Sequence, residues 1–280
     1  MKNAFSFDAE GRQPYNNFII KESDAEVVAK QDATLKAICA FEKKYSLPTY
    51  LKVIMYICAF VAAMVILGVL DAVIDGLPFA EAYGNAPWLF YVGGACFVVF
   101  VVLLCISRYL DFKGSKSPEF QRLTQEVNEV TAESYARLGV PDDARSISVL
   151  AYHFKIKRGK EKPAAYVSHA MQEMKIYSDG DSLYIASLHC LTAIPFADIR
   201  TIVENKKRTA FIQWTKDKSY RSPEYKRYKV RAFQYGLATK TYSVRIASDG
   251  AEAEILIPNF EIEILKTFVS LPIQPAVEKK

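Results

Sequence analysis

The chain is poor in the residues that make chemistry easy to recognise. Its 280 residues include three histidines, five cysteines and two tryptophans. There is no GxSxG, no HExxH, no Gly-rich phosphate loop and no Cys/His nucleophile spacing. Cys39, Cys58, Cys96, Cys105 and Cys190 contain no CxxC pair, which removes the common zinc and redox patterns. His153, His169 and His189 are scattered. His189 and Cys190 are neighbours, and on a strand they point to opposite faces, so they would not share a metal. No disulfide, no metal site, no cofactor and no enzymatic activity is expected. The net charge of +5 is too small to argue for a partner class. The opening MKNAFSFDAEGRQPY lacks the apolar core of a cleavable signal peptide.

Charge is also missing from two long stretches, and here the absence is informative. Val53–Leu70 and Trp88–Ile106 are apolar, uncharged and of the length a helix needs to cross a bilayer. They predict an integral membrane protein with spans over about 53–74 and 88–107. Tyr50, Trp88, Tyr91 and Tyr109 sit where aromatic belts form. Gly68, Gly93 and Gly94 offer small surfaces for close helix approach. Neither run has an acid or base in its middle, which argues against a proton relay or ion pathway. The linker between them has no Lys or Arg, whereas Lys36, Lys43, Lys44 and Lys52, and then Arg108, Lys113, Lys116 and Arg122, flank the spans. The positive-inside rule therefore predicts a multi-pass protein of the cell membrane with both termini in the cytoplasm.

Four parts are expected: an N-terminal segment over 1–50, a transmembrane hairpin over 51–110, a juxtamembrane helix over 111–141 and a β domain over 142–280. In the first, Val27, Gln31, Leu35, Ile38, Glu42 and Tyr45 follow an approximate 3–4 spacing after Ser23, a candidate N-cap. In the third, Ser117 caps a helix opened by Pro118, with a stripe of Phe120, Leu123, Val127, Val130 and Leu138. Both helices flank the same side of the hairpin, so an antiparallel pair is expected.

After Pro141 the period changes to two. Candidate strands are Val149–Lys157, Glu173–Tyr177, Leu183–Ser187, Cys190–Ile194, Thr209–Thr215, Thr239–Ala247 and Ala253–Ile257. Asp179-Gly180 and Asp249-Gly250 are hairpin signals. A helix over Asn259–Ser270, capped by Asn259, closes the chain. A run of antiparallel strands ended by one amphipathic helix suggests a curved sheet or barrel plugged at one end.

The hairpin KIYSDGDSLYIAS, the stretch AIPFADIRTIVENKKRTAFIQW and the ending YSVRIASDGAEAEILIPNFEIEILKTFV resemble the bacterial pleckstrin-homology-like domains, relatives of the PH and GRAM fold. Ile194, Pro195, Phe196, Asp198 and Ile199 are the most family-like element. The resemblance covers about Met171 to Leu271. It implies an α+β membrane protein in which an antiparallel PH-like barrel, capped by a C-terminal helix, follows a transmembrane hairpin. It implies binding and no reaction, and a shared fold does not fix function.

One segment concentrates charge. Residues 206–231 carry Lys206, Lys207, Arg208, Lys216, Lys218, Arg221, Lys226, Arg227, Lys229 and Arg231 against only Asp217 and Glu224, with Tyr220, Tyr225 and Tyr228 interleaved. Three readings remain open: an anionic lipid or acidic protein partner, a single nucleic-acid strand, or a solvated loop that keeps sheet edges soluble. Nucleic acid is disfavoured by the membrane anchor. Reach decides the lipid reading: a helix over 118–138 would be about 30 Å long and a charged leaflet's field decays within about 8 Å at physiological salt, so the loop feels the membrane only if the flanking helices lie flat and not if they stand upright. The expected function is a membrane-tethered binding or regulatory module. The alternative is a structural or homo-oligomeric component, or an accessory subunit of a larger membrane complex.

Overall fold

A computed structural model describes residues 2–9, 11–76, 78, 81, 84, 86–213, 227–233, 236–248 and 251–275. It is a mixed α+β structure that divides into two units, Ala29–Val130 and the combination of Met1–Val28 with Thr131–Lys280. The strands are β1 (Lys2–Asn3), β2 (Ser6–Phe7), β3 (Ile19–Glu22), β4 (Arg145–Lys157), β5 (Lys160–Pro163), β6 (His169–Ser178), β7 (Ser182–Ala186), β8 (Cys190–Pro195), β9 (Ile199–Glu204), β10 (Thr209–Gln213), β11 (Arg231–Phe233), β12 (Gly236–Thr239), β13 (Thr241–Ser248), β14 (Ala251–Pro258) and β15 (Ile273–Pro275). The helices are α1 (Ala25–Lys44), α2 (Thr49–Ile74), α3 (Pro87–Ser115), α4 (Pro118–Leu138) and α5 (Ile262–Lys266).

In the helical unit, α2 and α3 are long and apolar enough to cross a membrane, and only 11% of each apolar window is buried. They pack together around Met55 and Leu103, with Leu51, Phe100 and Leu104 alongside. Gly93 makes this approach feasible, because a Cβ there would meet Val65 at 2.8 Å. Gly68 and Gly94 face open space, so only one of the three expected glycines serves the contact. Pro48 lies between α1 and α2, where its missing N–H ends the first helix.

The antiparallel pairing of α1 and α4 is observed at each end. Lys44 pairs with Glu119 at 2.6 Å and Phe41 stacks near Phe120. At the opposite ends, Arg137 reaches Asp24 at 3.2 Å. The buried stripe of α1 differs from expectation. Val27 and Phe41 are buried, whereas Leu35 is 59% exposed and Glu42 is exposed. A true 3.6 period through Val27, Gln31, Thr34, Ile38, Phe41 and Tyr45 explains this, and the looser spacing slipped by one residue. Ser117 accepts the Phe120 N–H at 3.1 Å, as a cap should. Ser23 does not cap α1; its hydroxyl donates to the Leu188 carbonyl at 2.7 Å.

In the β unit, strands run antiparallel in the order β8–β7–β6–β4–β14–β13–β9. Alternate residues of these strands, among them Ile147, Val149, Ile176, Ile185, Ile194, Ile202, Val244, Ile246, Ile255 and Ile257, form one buried core. Ile262, Leu265 and Val269 join this core, so the terminal helical segment packs on the sheet. That segment is shorter than Asn259–Ser270, with a 3-10 turn over Asn259–Glu261 before α5. The single strand expected over Thr239–Ala247 breaks at Lys240 into β12 and β13. Trp214 and Thr215, at the end of the expected strand Thr209–Thr215, and the Asp249-Gly250 turn lie outside the described residues. The Asp179 turn forms, its carboxylate accepting the Asp181 and Ser182 N–H groups at 3.0 and 2.9 Å.

The first 22 residues were not expected in this sheet. Residues 2–7 make a U-turn. β1 runs parallel to β14, from Lys2↔Ala253 to Asn3↔Glu254, and β2 returns parallel to β4, from Ser6↔Tyr152 to Phe7↔His153. The sequence hides this because two-residue strands show no period.

Candidate anion-binding surface

The basic segment hangs from the end of β9 and the start of β13. Lys206, Lys207 and Arg208 form the exposed turn between β9 and β10, and Arg227, Lys229 and Arg231 lie at and after the turn that leads into β11. The register draws the two groups together. Ala210 and Arg231 both partner Ala238, from opposite sides of β12. Two strand spacings of about 4.8 Å then separate them. Lys216, Lys218, Arg221 and Lys226, with Tyr220 and Tyr225, lie outside the described residues.

A buried polar network fixes both turns. The Asn205 side chain donates to Thr241 Oγ1 at 3.0 Å, and the Thr209 and Thr241 hydroxyls meet at 3.1 Å. On the other side Asn259 Nδ2 donates to the Tyr228 carbonyl at 3.1 Å, while the Thr239 hydroxyl donates to Asn259 Oδ1 at 2.7 Å. Thr239 and Thr241 are fully buried, so these bonds keep their hydroxyls satisfied. Asn259 therefore anchors the basic turn and does not cap a helix. Arg227 lies over the Tyr228 ring at 4.6 Å, and Tyr228 meets Phe260 edge-on. Lys240 pairs with Glu204 at 2.6 Å, a bond that raises its pKa, while the nearby Arg208 charge lowers it. The surface is positively charged and rigidly based.

A second basic element escaped the sequence reading, which assigned its first half to a strand end. β4 and β5 form a hairpin through Arg158-Gly159, both at positive φ, as a two-residue turn of the I′ kind requires. Lys155 opposes Lys162 and Lys157 opposes Lys160, and Ile156 is 71% exposed. Like charges directly opposed on a strand pair are destabilising, by roughly 0.2–1 kcal/mol per pair. The signal was available in Lys155–Lys162, KIKRGKEK, as basic residues around an Arg-Gly turn.

Cys190, His153 and His169 are packed side chains. Cys190 is buried, accepts from Gln13 Nε2 at 3.1 Å, and burial pushes its thiol pKa up. His153 stacks on Phe7 at 5.3 Å, and burial lowers its pKa and that of His169. Among the described residues no three His, Cys, Asp or Glu side chains group to hold a metal. No family model, curated protein or solved structure matches the chain.

Proposed function

We propose that the chain is a non-catalytic, membrane-tethered binding and regulatory module that presents a cytoplasmic PH-like domain to an anionic partner, either lipid headgroups or an acidic protein surface. The observation that carries this reading is that the strand register brings Lys206, Lys207 and Arg208 near Arg227, Lys229 and Arg231, each turn held by its own threonine–asparagine hydrogen bonds. The antiparallel strand run ended by α5 supports the PH-like reading. The N-terminal strands support the hairpin topology. β1, β2 and β3 pair with β14, β4 and β8, so both ends of the chain belong on one side of any membrane that α2 and α3 cross. The basic flanks support a cytoplasmic location for that side.

The test uses the full chain in nanodiscs of neutral lipid, mixed with anionic or neutral vesicles at low and physiological salt. Binding to anionic vesicles only, weakened by salt, is expected. Each base near the surface contributes about 1 kcal/mol, so a Lys207/Arg208/Lys229→Ala variant should bind roughly a hundredfold more weakly. Binding that the variant leaves unchanged would refute the assignment of this surface. No vesicle binding, with cross-linking to an acidic protein in the native membrane that the variant loses, would assign the partner as protein.

A further inference from the structure

The β4–β5 hairpin stands clear of the core. Every residue from Lys155 to Tyr166 is exposed, although the two strands are paired from Phe154↔Pro163 to Lys157↔Lys160. In an antiparallel pair, opposed residues share a face, and so do residues two apart on one strand. Lys155↔Lys162 and Lys157↔Lys160 therefore set four lysines on one face, their Cβ atoms at the corners of a rectangle of about 5 Å by 7 Å. Lys155 Nζ donates to the Ala164 carbonyl at 3.5 Å, and among the described residues no carboxylate pairs with any of the four. The hairpin's one acid, Glu161, opposes Ile156 on the other face, where Lys2 at 3.2 Å and the Tyr15 hydroxyl hold it. The turn adds a fifth base, Arg158, at φ 55°, a left-handed conformation that favours Asn or Gly. Two apolar side chains accompany the bases, Ile156 at 71% and Tyr166 at 84% exposure.

We propose that this hairpin is a docking finger that enters the headgroup layer of an anionic phospholipid leaflet tip-first. Opposed like charges destabilise the pair in water, and a layer of phosphates removes that repulsion. The exposed finger has no concave wall, so it offers a free anion only solvated surface lysines, whose ion pairs are weak. A planar array of phosphates instead meets the four lysines and Arg158 together. The length fits, because three exposed residue pairs reach about 10 Å, and the headgroup layer on each side of the hydrocarbon is about 5–8 Å deep. Immersed tip-first, the finger uses both faces. Ile156 meets the boundary of the acyl chains, while the lysine stems lie along it and return their ammonium groups to the phosphates. An acidic protein patch would pair with the lysine face alone and leave Ile156, on the opposite face, in water. The proposal rests on the membrane reading of α2 and α3, which tethers the chain to a bilayer, and not on the 206–231 surface.

The experiment uses the full chain in phosphatidylcholine nanodiscs, mixed at physiological salt with phosphatidylglycerol or phosphatidylcholine vesicles that carry brominated acyl chains. The chain bears Trp88→Phe, Trp214→Phe and Ile156→Trp, so its tryptophan fluorescence reports the finger alone. Phosphatidylglycerol vesicles should quench it and phosphatidylcholine vesicles should not. Lys155/Lys157/Lys160/Lys162→Gln should weaken vesicle binding several hundredfold, at roughly fivefold per base. Arginine substituted at the same four positions should preserve binding. The glutamine variant should unfold no earlier than its parent, since it removes opposed charges. Absence of quenching would overturn the finger, whether or not the chain binds vesicles elsewhere. Triphosphate binding that the glutamine variant loses, without quenching by any vesicle, would replace the bilayer with a soluble polyphosphate. Vesicle binding kept in the glutamine variant but lost in Lys207/Arg208/Lys229→Ala would overturn the finger and leave the 206–231 reading standing. The reverse pattern would support the finger and overturn that reading.

Discussion

Phe5 offers the sharpest test of how the β unit is built. It is fully buried in the same core as Ile147, Val149, Ala253 and Ile255, although more than a hundred residues of chain separate it from them. Truncating a buried phenylalanine to alanine removes its transfer energy and leaves a cavity, at a combined cost of about 3–5 kcal/mol. For a unit of this size that corresponds to a fall in Tm of roughly 6–20 °C. The assay is thermal unfolding of the detergent-solubilised full chain, followed by a signal from the β unit. Ile156→Ala is the control, because Ile156 is 71% exposed and its loss should change stability by no more than about 0.5 kcal/mol. If Phe5→Ala and Ile156→Ala were indistinguishable, the N-terminal U-turn would not be part of the folded core. A fragment beginning at Ser146 would then fold as well as the whole, whereas the structure requires residues 2–22 as well.

Two further outcomes follow from particular contacts. Burial raises the Glu261 carboxyl above its ordinary range, more than the hydrogen bonds from Ser148 lower it. A raised folded pKa means that the stabilising contribution is complete below the unfolded value and is lost as pH rises through the folded one. Glu261→Gln should therefore stabilise the protein at pH 7 and flatten the Tm profile above about pH 4.5; a Tm lowered equally at pH 5 and pH 7 would contradict this. In the helical unit, Gly93→Leu should force α2 and α3 apart, while Gly94→Leu should not, since only Gly93 meets Val65. The Cys58 and Cys96 side chains lie within hydrogen-bonding reach of each other. An oxidative Cys58–Cys96 cross-link should be lost in the first variant and kept in the second, and its persistence in both would refute the close approach.

Features that depend on local period and composition were legible before the fold was known. The two long apolar helices were legible because about 20 uncharged residues in a row have few other uses. The α4 stripe was legible because Leu123, Val127, Val130 and Leu138 repeat at helical spacing, although Phe120 of that stripe is 42% exposed, and the strands were legible because short apolar runs are bounded by turn residues. The basic segment 206–231 was visible as composition, but its convergence was not. Only the pairing of β10, β11 and β12 brings Lys206–Arg208 beside Arg227–Arg231, and register between distant strands leaves no local trace. The N-terminal U-turn shows the same limit more strongly. Its strands are two residues long, and Asn3, Phe5 and Phe7 have no period to reveal them. Their burial exists only because β4 and β14 part beyond Leu150 and Leu256. Hydrophobic periodicity records which side of an element faces inward, whereas a gap between two strands arises from sheet geometry, so what fills it is visible only once the chain is folded.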